Sequence, residues 1–154
     1  MYNESVPNLS VSLFGSPQIR RGNDHISIQR RKDLALLIYL VVNSQTHSRD
    51  ALATMLWPDL NQTEARSNLR KSLSRLKIQL GEESILNTRD QVGLHPKLSI
   101  DLDIAKFGLS LRQFRVHGHR RNENDSYLCP VCQQSLEEAA RLYVARNNQS
   151  ALTN

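Results

Sequence analysis

At 154 residues the chain has room for one domain and an extension. Its 20 Lys and Arg against 15 Asp and Glu give a net charge of +5, which favours an anionic partner without choosing among DNA, RNA and an anionic membrane surface. Aromatic content of 5% weighs against a base-stacking surface for single strands, and no apolar run approaches the ~20 residues of a membrane-spanning helix.

Residues 1–8 read as a loose leader, without the basic start and apolar stretch of a signal peptide. Two cysteines, both in one Cys-Pro-Val-Cys, give no disulfide framework, so a reducing, cytoplasmic location is expected. Residues 9–15 alternate apolar and polar side chains, the period of a half-buried strand. Residues 18–21 and 25–29 continue as two further short strands around the turn at 22–24, which makes a small antiparallel sheet. A strongly apolar helix follows from Arg30 through Val42, with Leu34, Leu37, Ile38 and Val41 or Val42 expected on its core face. Residues 43–48 form a polar connector that ends in Ser48, a helix N-cap. The second helix turns Leu52, Met55 and Leu56 inward and stops at Trp57-Pro58.

Asn61 with Glu64 three residues later has the form of a capping box and opens a third helix that Gly81 closes. On that helix Leu69, Leu73, Leu76 and Leu80 are spaced four, three and four apart, so they line one buried stripe. Roughly opposite lie Ser67, Lys71, Ser74 and Arg75, flanked by Asn68 and Arg70. Short polar residues allow close approach to a duplex, and cations meet phosphates and guanine edges in the major groove. Such a face also suits an ordinary solvated helix. Residues 84–88 and 91–94 then read as a hairpin turning at Arg89-Asp90, and 98–101 as a last strand. The order of sheet, three helices and hairpin defines an α+β winged helix-turn-helix with an N-terminal antiparallel β-sheet and a short helical extension. Its expected bounds are 9–102, with a partial helical region at 103–154 that contains a polar loop at 112–128.

Four blocks carry a family resemblance: LFGSP at 13–17, RRKDLALLIYL at 30–40, SRDALATMLWPD at 48–59 and ARSNLRKSLSRL at 65–76. In this order they closely resemble the DNA-binding half of the SARP/AfsR-type transcriptional activators, over about residues 9–108. Those proteins carry an OmpR-like winged helix followed by a bacterial transcriptional activation domain of TPR-like helical hairpins. The resemblance implies sequence-specific binding of double-stranded promoter DNA, contact with RNA polymerase holoenzyme, and head-to-tail pairs on direct repeats. It implies activation rather than repression. Carried over by position, Ser67, Asn68, Arg70, Lys71, Ser74 and Arg75 enter the major groove. Arg66 touches phosphate or caps the core, and Arg89 reaches the flanking minor groove or backbone. Arg30, Arg31 and Lys32 sit at a helix N-terminus, where positive charge opposes the helix dipole, and are read as a phosphate clamp. Residues 103–154 hold one clear amphipathic helix, at 135–144, and are too short for a solenoid of stacked repeats. A fragment of a longer regulator and a shortened product both fit.

His117, His119, Cys129 and Cys132 are four ligand types within reach of a tetrahedral zinc site, although His-x-His must bend around one ion. The competing reading is a basic loop and a helix start with Pro130 in its first turn, and a redox dithiol lacks the strand that precedes it in thioredoxin-like folds. Asp103 is expected to cap a helix over 104–111 rather than act with Asp101 as an acid–base pair. No nucleophile elbow or phosphate-cradling Gly loop occurs, so neither an enzyme nor a cofactor is expected. The rival to DNA readout is a winged helix used to bind protein. The outer face of the third helix speaks against it, since Ile78 is its single large apolar anchor.

Overall fold

Residues 8–116 and 129–150 are described by the computed structural model, an α+β arrangement in which helices and two small sheets alternate along the chain. Two compact units divide it: Met1–Ser10 with Ile19–Asp101, and Val11–Gln18 with Leu102–Asn154.

Strand β1 (Asn8–Ser12) buries Leu9, as the alternation demands, and β2 (Gln18–Arg21) buries Ile19. Strand β3 is shorter than the five residues expected, covering only Asp24–His25 in register with Arg21 and Arg20. Past His25 one bond remains, from the Ile26 N–H to the Ile19 carbonyl, and the chain then leaves the ladder. With β7 (Ser99–Leu102) these strands form a sheet in the order β3-β2-β1-β7.

Helix α1 (Arg31–Asn43) starts after an extended Arg30 that offers no side-chain cap and ends at Ser44, whose left-handed backbone returns its N–H to Leu40. Its inward residues are Leu36, Leu37, Leu40 and Val41, with Leu34 and Ile38 only half-buried. The expected face was rotated because a run that is apolar all round gives periodicity little to choose between. Residues 47–48 are not a plain connector. They form β4 (His47–Ser48), which pairs with β6 (Gln91–Leu94), itself antiparallel to β5 (Ile85–Asn87). A two-residue strand carries no period of its own, and a distant partner decides its pairing. Gly93 makes the approach possible: a Cβ there would sit 3.0 Å from the Thr46 methyl group.

The Ser48 hydroxyl accepts the Ala51 N–H and opens α2 (Arg49–Leu56). Leu52 and Ala53 face inward, whereas Met55 is exposed, contrary to the expected face. After residues 57–61, the Asn61 side chain accepts the Glu64 N–H at 3.0 Å and starts α3 (Gln62–Leu80). Leu69, Leu73, Leu76 and Leu80 are fully buried on α3, together with Ala65 and Ser72. Gly81 then turns the chain at φ 94°, against the Arg21 guanidinium.

In the second unit, α4 (Asp103–Val116) packs against α5 (Pro130–Ser150). Residues 112–116 thus belong to a helix rather than to the polar loop expected there. The buried Asp103, itself the first residue of α4, accepts the Ile104 N–H and the N–H groups of Leu13 and Phe14, the latter two at 2.9–3.2 Å. The Phe14 ring meets Phe107 and Tyr143 edge-on, so residues 11–18 are held by both helices. Among the described residues no helix is long and apolar enough to cross a membrane.

Truncating the α3 stripe separates its two faces energetically. Leu73→Ala is expected to cost about 2–5 kcal/mol by transfer loss and cavity formation. Ile78→Ala, on a residue 77% exposed, is expected to stay within about 0.5 kcal/mol in the same urea titration. Equal costs would contradict the placement of the stripe.

Candidate nucleic-acid interface

Burial of the leucines fixes how α3 is rotated, and Ser67, Arg70, Lys71 and Ser74 are left exposed. Arg70 and Lys71 make no ion pair among the described residues. Asn68 and Arg75 lie at the edge of this face and are half-buried.

Arg75 is held in a fork. Its Nε donates to Asp33 Oδ2 at 2.6 Å and its Nη2 to Asp33 Oδ1 at 2.8 Å, with a further bond to Ser72 Oγ at 3.1 Å. The Asp33 side chain is only 4% exposed, against 36% for Arg75. Burial pushes the Asp33 carboxyl upward. The Arg75 and Ser72 hydrogen bonds, with the charges of Arg75 and Arg30, outweigh it and hold the group below the ordinary carboxylate range. Asp33 in turn raises the Arg75 guanidinium. Arg75 is therefore a strut between α3 and α1 that leaves part of its surface open, rather than a side chain at liberty to search for a base.

Beside this strut the α1 start and α3 enclose a cleft of about 620 Å³, lined among others by Arg30, Arg31, Trp57, Asn68, Lys71 and Arg75. Uncapped N–H groups at the α1 start and the exposed guanidinium-bearing residues Arg30 and Arg31 give the cleft a positive wall. Lys32 lines the same cleft and is also tied to α2. Its Nζ donates to the Leu56 carbonyl at 2.6 Å and stands 5.2 Å from the Trp57 ring centre, so it closes the C-terminal end of α2.

Arg66 forms a two-pronged pair with Asp50, both contacts at 2.5 Å, which links α3 to the start of α2. The Asp50 carboxyl is lowered by Arg66 and the Arg66 guanidinium raised by Asp50. Both partners are more than half exposed, so the pair orients more than it stabilises. Arg89 is exposed at the tip of the β5–β6 hairpin. That tip is anchored: the Arg49 N–H bonds the Asp90 carbonyl at 2.9 Å, and the Arg49 side chain bonds Asn87.

Asp33 and Ser72 were not foreseen as part of the interface. The signal was present in one place: a lone acid directly after Arg30, Arg31 and Lys32 at the head of an apolar helix. Of the four zinc candidates, His117 and His119 lie outside the described residues. Cys129 is half-buried and Cys132 buried, and no group of three or more His, Cys, Asp or Glu side chains suited to a metal occurs among the described residues. No protein-family model matches the chain, and no curated protein matches it either.

Replacing Asp33 by Asn removes the charged half of the fork. It should cost about 1.5–3 kcal/mol at neutral pH, the scale of hydrogen bonds to a charged group. Because the carboxyl is depressed in the folded protein, the unfolded chain takes up its proton first, near pH ~3.9, as pH falls. The stabilisation is whole above that value and is lost as pH falls through the folded one. Stability difference between wild type and Asp33→Asn, measured by denaturant titration, should therefore shrink below about pH 4. A constant difference down to strong acid contradicts the assignment.

Proposed function

We propose that this chain is a sequence-specific regulator of transcription that reads double-stranded DNA with the outer face of α3, as a winged helix-turn-helix. One observation carries the proposal: α3 buries its leucines completely while leaving a row of small polar and cationic side chains open, beside a positively walled cleft. In this reading α2 and α3 are the helix-turn-helix and β5–β6 is the wing. Ser67, Asn68, Arg70 and Lys71 meet base edges, and Ser74 allows the groove wall to approach. Arg30 and Arg31 hold the backbone phosphate at the cleft, while Arg89 on the tethered hairpin meets the flanking strand. Arg75 and Arg66 act mainly by fixing α3 against α1 and α2, which sets the angle at which the face is presented.

The resemblance to SARP/AfsR-type activators extends the proposal to activation through RNA polymerase and to head-to-tail binding on direct repeats. Neither catalysis nor a cofactor enters it. Use of the same helix as a protein-docking surface finds less support, because Ile78 is the one large apolar side chain that α3 exposes.

Selection of duplexes from a random pool at fixed salt, followed by variant titrations on the enriched sequence and its single-base changes, tests the proposal. Lys71→Ala and Arg70→Ala are expected to weaken binding unevenly, losing about 1–3 kcal/mol of discrimination at one base pair. Arg31→Ala is expected to weaken every sequence alike and to reduce the slope of log affinity against log salt by about 1. A pool without enrichment, or uniform losses for every α3 variant, contradicts base readout.

A further inference from the structure

The Cys-Pro-Val-Cys segment takes no part in the DNA reading, and its geometry is asymmetric. Cys129 is the residue just before α5, and its carbonyl accepts the first helical bond, from the Gln133 N–H at 2.9 Å. Pro130 occupies the first helical position, where its missing N–H costs nothing. Cys132 follows on the first turn, so both sulfurs lie on one side of the helix start. The Cys129 sulfur receives the backbone N–H of Cys132, and the two thiols share a hydrogen bond. The backbone N–H of Val131 acts in the same direction. These donors and the positive end of a long helix all favour negative charge on Cys129. The two cysteines differ in access: Cys129 is half-buried, while Cys132 is fully buried at 0% exposure.

We propose that Cys129 and Cys132 form a reversible dithiol–disulfide site, in which Cys129 attacks a low-molecular-weight disulfide and Cys132 resolves the product. In the first step the Cys129 thiolate bonds one sulfur of the small disulfide and expels the other as a thiolate. In the second, Cys132 gives up its proton to solvent or to the departing thiolate and its sulfur bonds Cys129, expelling the second small thiol. Two protein thiols are oxidised to one disulfide, and one small disulfide is reduced to two thiols. Burial pushes the Cys132 thiol up, as does the adjoining Cys129. Cys132 is thus the poorer attacking group and the one held in reserve. The exchange itself needs one activated sulfur and one neighbour within bonding reach.

The test uses the full chain, purified without chelators and treated with oxidised glutathione. Wild-type protein should lose both reduced thiols, carry no glutathione, and yield a peptide linked between Cys129 and Cys132 within one chain; dithiothreitol should restore both thiols. Cys132→Ser should stop at a stable glutathione adduct on Cys129, and Cys129→Ser should remain unmodified under the same conditions. The wild-type peptide map decides the matter even where a variant fails to fold. Retention of both wild-type thiols, a persistent wild-type glutathione adduct, disulfide-linked dimers, or one zinc per chain bound through these sulfurs would each overturn the proposal.

Discussion

Four leucines on α3 have to leave water together, and that requirement sets the rotation of the helix about its own axis. Leu69, Leu73, Leu76 and Leu80 are fully buried, and each contributes about 1.5–3 kcal/mol relative to an exposed side chain. A turn of the helix large enough to hide Lys71 would expose most of that stripe. The exposure of Ser67, Arg70, Lys71 and Ser74 is therefore enforced by the core rather than chosen residue by residue. A face so enforced is presented to a partner without any rearrangement of the helix itself.

Rotation alone does not fix the angle of α3 against its neighbours. Two forked ion pairs do, one at each edge of the exposed face: Arg75 with Asp33 of α1, and Arg66 with Asp50 of α2. Their environments differ. Asp33 is buried and depends on its partner, so loss of Arg75 leaves an uncompensated charge. Asp50 is solvated and loses little. The anchored hairpin adds a third reference point, since Arg49 ties its tip to the first residue of α2. The basic side chains around α3 consequently include some spent on internal geometry (Lys32, Arg49, Arg66, Arg75) and others presented outward (Arg30, Arg31, Arg70, Lys71, Arg89).

That division is what the sequence could not reveal. Periodicity located α3, its cap at Asn61 and its stop at Gly81, because each rests on local chemistry. It also separated the leucine stripe from the polar face. It could not tell Arg75 from Lys71, since the acid that claims Arg75 lies far off in the chain, on α1. Strand β4 escaped notice for the same reason: His47 and Ser48 become a strand only through Val92 and Gln91. The face of α1 was misjudged because its apolar residues surround the axis, and Met55 was assigned inward because it stands three residues past Leu52, although the half-buried Leu56, four residues on, shares that side instead. Local signals were read well, and long-range partners were not.

The central claim is that the exposed face of α3 is the surface a duplex occupies. Amide shift mapping of isotope-labelled protein, titrated with an enriched duplex at fixed salt, addresses it residue by residue. The account predicts the largest changes at Ser67, Asn68, Arg70, Lys71 and Ser74, with a second group at Arg30, Arg31 and Arg89. Changes confined to α4 and α5, with α3 silent, would contradict it.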